Sequence, residues 1–281
     1  MVFLYILLAV LCSLLALAVL LFVLYIFVFI RPRGRAPQKK SFLCDYAHRG
    51  LHNDEIPENS LAAFEAACEA GHGIELDIQL SKDGEVMVFH DYTLIRMTGK
   101  EGKVCDYTAA ELKAISLKGT DQTIPTFAEV LALVNGRVPI LVELKGEDLN
   151  AALCPKVAEL LRGYKGGYCI ESFNPLLIRA MRRELPRAYY GQLYTNVCRD
   201  KKRYSPLNLL LTAMAFNFLA KPDFIAYNYK DRKSLPVKLT TRMYKAAPFI
   251  WTARDGEVLR EAAQYGEYPI FEHATPADIS R

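Results

Sequence analysis

Positions 2–30 contain no charged residue, and only Cys12, Ser13, Tyr5 and Tyr25 interrupt the apolar run. A helix over Phe3–Ile30 is roughly 42 Å long at about 1.5 Å per residue, more than the ~30 Å of a bilayer's hydrocarbon core. A cleaved signal peptide would show a basic start, a run about half as long and a small-residue cleavage site, and the pattern has none of these. It predicts one retained N-terminal transmembrane helix, residues 1–30. Beyond it the pattern changes to short apolar runs: Phe42–His48, Ile74–Leu80, Val86–His90, Val138–Lys145, Tyr168–Phe173, Arg187–Leu193, Asp223–Tyr229, Pro248–Thr252 and Pro269–Glu272. Helical stretches lie between several of them, such as Leu61–Ala70 closed by Gly71 and Phe127–Val134 closed near Gly136. Asn59 or Ser60 is placed to cap the first.

Strands alternating with helices over about 240 residues predict an α/β fold, a parallel TIM (β/α)8 barrel. Nine runs are one too many. The turn sequence Ser81–Glu85 joins the second and third as a hairpin, whose return strand is then extra. Centred on Asp83-Gly84, that hairpin sets position 90 opposite position 77. Residues 91–125 carry Gly99, Gly102 and Gly119 without strong periodicity and read as an insertion. The expected organisation is an anchor (1–30), a basic juxtamembrane linker (31–41) and a barrel domain (42–281).

Charge refines the picture. Arg31, Arg33, Arg35, Lys39 and Lys40 follow the apolar run with no acidic residue before Asp45. By the positive-inside rule this flank, and the domain behind it, stay cytoplasmic, and the cluster can rest on anionic headgroups. The whole chain is formally +4 and these five residues supply +5, leaving the domain at about −1. A near-neutral domain does not support nucleic-acid binding, which shows a basic face. Seven cysteines without CxxC spacing suggest neither a zinc site nor a redox motif, and fit reduced cytosolic thiols.

Side chains two apart share a strand face, so Glu75, Asp77 and Gln79 point one way while Ile74, Leu76 and Ile78 point the other. Glu143 and Lys145 pair in the same manner. Carboxylates in strands this apolar need compensation. A hard divalent cation held by Glu75, Asp77 and Glu143 would supply it, the alternative being an ion-pair network such as Glu143 with Arg49. Two strand-end histidines, His48 and His90, converge on the same cluster and favour the cation. Imidazoles titrate near neutrality and suit general acid and base roles. Arg49 and Lys145 have the chemistry to hold a phosphate.

His48-Arg49-Gly50, Pro57-Glu58-Asn59-Ser60, Glu75-Leu76-Asp77, Phe89-His90-Asp91, Ile124–Leu131 and Glu143-Leu144-Lys145 together resemble the glycerophosphodiester phosphodiesterase family. The likeness is strong over about 44–146 and looser through Glu171-Ser172-Phe173 and Trp251-Thr252. It implies a TIM barrel with an insertion after His90, and Ca²⁺ or Mg²⁺ on Glu75, Asp77 and Glu143. His48 and His90 would form the acid/base pair, and Arg49 and Lys145 the phosphate clamp. Glu58 would order the site, Asn59 would cap or assist, and Trp251 would line the pocket. The implied reaction is metal-assisted hydrolysis of glycerophosphodiesters to sn-glycerol 3-phosphate and an alcohol. A lysophospholipase D-like action on lysophospholipids at the membrane is the alternative, and a non-catalytic membrane-anchored binding module is the reading from another class. Departures from the family pattern, Ala253-Arg254 after Trp251-Thr252 and a last strand without Asp-Pro, fall on the alcohol side. Leu207–Ala220, apolar nearly all round and flanked by Arg199–Arg203 and Lys221, is either an ordinary barrel helix or an interfacial element beside the mouth.

Overall fold

The computed structural model describes residues 1–146 and 152–274, so the expected domain end at 281 lies outside the described residues. Nine strands occur among them: β1 (Tyr46–Ala47), β2 (Gly73–Leu80), β3 (Val86–Val88), β4 (Ile140–Leu144), β5 (Tyr168–Ser172), β6 (Tyr189–Tyr194), β7 (Phe224–Asn228), β8 (Ala247–Ala253) and β9 (Tyr268–Phe271). Eight run parallel and close a barrel, with β1 joined to both β2 and β9. The extra strand is β3, antiparallel on β2, as the turn sequence implied.

Strand parity divides the barrel into two layers. Ile74, Leu76, Ile78, Ile140 and Val142 point outward into the main core beneath the helices. Inside, the lower half is filled by Tyr46, Tyr189, Phe224 and Phe249, with ring centroids 5.1 Å apart for Tyr189–Phe224 and 4.8 Å for Phe224–Phe249. Gly191 makes room for this, since a Cβ there would lie 2.1 Å from the Phe224 ring. With the bottom plugged by rings, polar inward side chains are confined to the C-terminal mouth.

The hairpin register differs from expectation by one residue. Ile78 pairs with Val88 and Leu80 with Val86, so the turn centres on Asp83 and Asp77 faces Phe89, whose N–H it accepts at 2.9 Å. The Ser81 N–H bonds the Glu85 carbonyl (2.9 Å) and its hydroxyl reaches Asp83 (2.6 Å), which closes a five-residue loop. Of the two proposed caps, Ser60 caps the helix Leu61–Ala70, accepting from the Ala63 N–H at 3.1 Å. Asn59 does not cap it. The 91–125 stretch folds into short helices (Ile95–Thr98, Val104–Asp106, Ala109–Lys113) around Leu94, Met97, Leu112 and Ile124.

Val2–Phe29 is one helix long and apolar enough to cross a membrane, ending in a π-helical turn at Tyr25–Phe29. The residues after it lie along the barrel. The Arg33 and Gly34 N–H groups donate to the Pro222 carbonyl (2.8 and 3.2 Å), Arg35 donates to the Arg187 and Ala188 carbonyls, and Phe42 stacks on Tyr189. Leu207–Ala220 is not a single helix packed on the sheet. It forms two short ones, Pro206–Thr212 and Asn217–Ala220, with Leu207, Leu209 and Leu210 exposed.

Candidate active site

After β1 the chain turns sharply, with Arg49 at φ 58° and Gly50 at φ 81°. A Cβ at position 50 would lie 2.8 Å from the Ala63 backbone, so this turn needs glycine on both counts. The turn aims the Arg49 N–H at Glu75 Oε2 (2.9 Å) and leaves His48 at the mouth. The Arg49 guanidinium donates to Glu58 (2.7 Å) and lies 3.6 Å from Asp77.

Glu75, Asp77 and Glu143 are buried, and each offers a carboxylate oxygen within 4.8 Å of the others. Lys145 Nζ lies 2.9 Å from Asp77 and 2.8 Å from Glu143, and Asn59 donates to Asp77 (2.9 Å). The alternative pairing of Glu143 with Arg49 does not form; Lys145 occupies that role. Burial, then the charges of Asp77, Glu143 and Glu171, push the Glu75 carboxyl well above its usual range. Burial likewise raises Glu143 to about 7, against the opposing pull of Lys145. Burial would raise Asp77 as well, but Lys145, His90 and Arg49 hold it far below its usual value. Crowded carboxylates of which two resist ionising fit a hard divalent cation, whose charge would let all three ionise together.

His48 Nδ1 lies 3.0 Å from Glu272 Oε2. A carboxylate only accepts, so Nδ1 carries the proton and Nε2 keeps its lone pair. Burial lowers His48 to about 4, against the raising effect of Glu272. His90 Nδ1 lies 2.6 Å from Asp91. Arg96 donates to Asp91 (2.5 Å) and, through both terminal nitrogens, to Glu58 (2.9 and 2.6 Å). An ordered chain of charges therefore runs from His90 through Asp91, Arg96 and Glu58 to Arg49. Burial would raise Glu58, but Arg96 and Arg49 bring it down to about 2.

His90 reaches the site by a route the hairpin register did not supply. It lies beyond β3, where the Gln79 side-chain amide donates to the carbonyls of Phe89, His90 and Asp91 (2.8, 3.3 and 2.8 Å). Those three bonds turn the backbone back over the mouth. The resulting pocket, about 190 Å³, brings together His48, Arg49, Glu75, His90, Glu143 and Lys145. Trp251 also lines it, its indole N–H on the Ala226 carbonyl (3.1 Å) and its ring edge-on to Phe173. A larger apolar cavity of about 610 Å³ opens beside it, sharing Glu143, Lys145 and Phe173.

Glu272, Arg96, Asp91, Gln79 and Glu171 were not among the expected site residues. Three carried a signal, Asp91 by following His90 in the motif Phe89-His90-Asp91. Glu171 sits two before Phe173 on a strand edge and pairs in register with Glu143, and Gln79 has the parity of Glu75 and Asp77. Burial pushes Glu171 well above the usual carboxyl range, and its Oε2 has no hydrogen-bond partner among the described residues.

Residues 48–274 match the Glycerophosphoryl diester phosphodiesterase family. A glycerophosphodiester phosphodiesterase of Caldanaerobacter subterraneus subsp. tengcongensis is 36% identical over 159 residues, 53% of this chain and 65% of that protein. Human glycerophosphodiester phosphodiesterase 1 is 32% identical over 166 residues, 55% of this chain and 47% of that protein. These alignments thus span less than two thirds of either relative's length. Among solved structures, a glycerophosphodiester phosphodiesterase from Thermotoga maritima superposes with a TM-score of 0.61 at 27% identity, covering 82% of this chain and 93% of that one. An Oleispira antarctica phosphodiesterase solved with the product sn-glycerol-3-phosphate superposes with a TM-score of 0.69 at 23% identity, covering 85% and 96%.

Proposed function

This chain belongs to the glycerophosphoryl diester phosphodiesterase family, and from that premise we propose that it hydrolyses glycerophosphodiesters to sn-glycerol 3-phosphate and an alcohol. The observation that carries the reading is the convergence of His48 and His90 with Glu75, Glu143, Lys145 and Arg49 on one pocket at the barrel mouth. Glu75, Asp77 and Glu143 would hold Ca²⁺ or Mg²⁺, which supplies Lewis-acid neutralisation of the phosphoryl oxygens when bound. Arg49 offers a planar fork and Lys145 a point charge to the same phosphate. A cation on these carboxylates would take over the balancing that Lys145 now gives Asp77 and Glu143, and would leave its ammonium available to the phosphate.

The two imidazoles divide the proton transfers. One accepts the proton of the nucleophile, a water or the substrate's neighbouring hydroxyl, as that oxygen bonds to phosphorus. The other gives its proton to the alcohol oxygen as the opposite P–O bond breaks. Each has Nδ1 fixed on a carboxylate, Glu272 or Asp91, and so presents Nε2 to the reaction. Trp251 forms the wall on the alcohol side.

One observation favours a second reading, action on lysophospholipids in a lysophospholipase D-like manner. The cavity of about 610 Å³ begins at Glu143 and Lys145 and is lined by Phe173, Leu176, Leu207, Leu211 and Phe216. A diester without an acyl chain has no use for such a lining. The apolar helix supports this placement, because Tyr25 of its last turn donates to the Ala213 carbonyl (3.0 Å) next to the leucines of 207–211. With the basic flank inside, the barrel would work at the cytoplasmic face of a membrane.

The test is product release by the full chain from glycerophosphocholine and from lysophosphatidylcholine, beside His48→Ala and His90→Ala. Release abolished by either substitution is expected, with a loss of about 10²–10⁴-fold. Release unchanged by both would remove the acid/base assignment. No release from either substrate would favour the non-catalytic binding module.

A further inference from the structure

A second concave site lies outside the catalytic pocket, where the end of the apolar helix meets the barrel. We propose that this cleft binds the headgroup of an anionic membrane phospholipid, an inference that rests on reading Val2–Phe29 as a membrane span. The cleft holds about 510 Å³ and has a mixed lining, Phe27, Val28 and Phe218 together with Arg31, Arg33 and Lys221.

Its position follows from the helix length. About twenty residues cross a ~30 Å hydrocarbon core. The 28 residues of the span run past that, so Phe27 to Arg31 lie at headgroup level. There Phe27 and Val28 remain about half exposed, facing acyl chains, while the cations face the phosphates.

The cleft is also preformed. Tyr244 donates to the Ile26 carbonyl (2.7 Å), Tyr25 to Ala213 (3.0 Å) and Asn217 to the Ile30 carbonyl (2.9 Å). Phe29 meets Phe218 edge-on at 5.5 Å. These contacts fix the end of the helix against the Asn217–Ala220 helix, so that Arg31, which follows it, and Lys221 of the barrel line one opening. A juxtamembrane run on a free tether would not gather its charges in this way.

Charge selects the occupant. Arg31 lies over the Tyr244 ring at 5.9 Å, and among the described residues neither Arg31 nor Lys221 has a carboxylate partner. Arg33 reaches Asp223 only at 3.9 Å, and Arg35 (3.9 Å) and Arg182 (3.5 Å) share that same buried carboxylate. The opening therefore keeps uncompensated positive charge beside an apolar wall. A phosphodiester headgroup bearing net negative charge with its acyl chains still in the bilayer matches both parts of the lining; a zwitterionic headgroup matches the apolar part and wastes the cations.

The test uses the full chain in phosphatidylcholine nanodiscs containing a minor fraction of phosphatidylglycerol, with retained lipid counted by native mass spectrometry. The expected result is retention of one phosphatidylglycerol in preference to phosphatidylcholine, undisturbed by excess inorganic phosphate. Arg31→Gln with Lys221→Gln should lower that preference about fivefold per cation removed, while Lys100→Gln with Lys103→Gln, the same charge removed from the exposed insertion, should leave it intact. Arg31→Lys with Lys221→Arg should keep it, which separates lost charge from misfolding. Equal retention of the two lipids, or equal losses in the two Gln pairs, would overturn the cleft. Extraction of the wild-type chain from membranes by alkaline carbonate would instead overturn the span on which it rests.

Discussion

At position 50 a side chain would meet Ala63 and would need φ 81°, so Gly50→Ala strains both the packing and the backbone. The expected loss is about 2 kcal/mol of stability, read as a lower melting temperature, with activity falling further because His48 and the Arg49 N–H move with the turn. His48 is governed by a partner almost the whole domain away in sequence, Glu272. Glu272→Gln should lower kcat by about 10–100-fold with little change in KM for glycerophosphocholine. The pH dependence has a definite sign. Burial already sets His48 at about 4, and Glu272 opposes that effect. With His48 as the imidazole that accepts the proton, the acid limb of kcat/KM should therefore lie well below the ordinary imidazole value of about 6.5, and Glu272→Gln should move it lower still. A limb that moved upward would show that another group is titrating. The inward placing of Glu75, Asp77, Glu143 and Lys145 was legible because strand parity is a local property, and that of His48 because it follows a strand end; His90 was expected from a register that does not form, and Arg49 from its chemistry alone. Glu272 and Arg96 were not, since barrel closure and the insertion bring them in from distant sequence.

The β2–β3 hairpin shows how an element can place a residue correctly for a reason other than its own register. The expected pairing of 77 with 90 fails by one residue, and His90 is carried to the mouth by the backbone that Gln79 holds. Gln79→Leu keeps the size and inward direction of the side chain but leaves three carbonyls short of a donor. It should cost about 1–3 kcal/mol and lower kcat more than it raises KM, as His90 and Asp91 lose their support. An unchanged kcat would mean that the Arg96–Glu58 pairing alone holds His90. Other elements were legible to different degrees. The alternation of apolar runs and helices gave eight barrel strands and the extra hairpin strand. The run at Phe42–His48 shrinks to Tyr46–Ala47, because Phe42 belongs to the segment under the barrel and His48 to the turn above it. Inside 91–125 the helices are of three to five residues, too short to show a helical period.

For the molecule as a whole, the last turn of the apolar helix and the segment after it lie against the barrel, while Val2–Leu24 has no buried residue and stands clear of it. The basic flank predicts which side the barrel occupies. Cys105 is an exposed thiol on the insertion, and in a Cys12→Ser, Cys44→Ser background a membrane-impermeant maleimide should label it only after the cells are broken. Labelling of intact cells would place the barrel outside and overturn the charge-based orientation. The central claim, that three carboxylates and two histidines at the barrel mouth form a metal-dependent phosphodiesterase site, is tested most directly by one assay. Release of sn-glycerol 3-phosphate from glycerophosphocholine by the full chain is followed in EDTA and after Ca²⁺ or Mg²⁺ is restored. The expected result is loss of release in EDTA and recovery with one of the two cations. Release that continues undiminished in EDTA would contradict it.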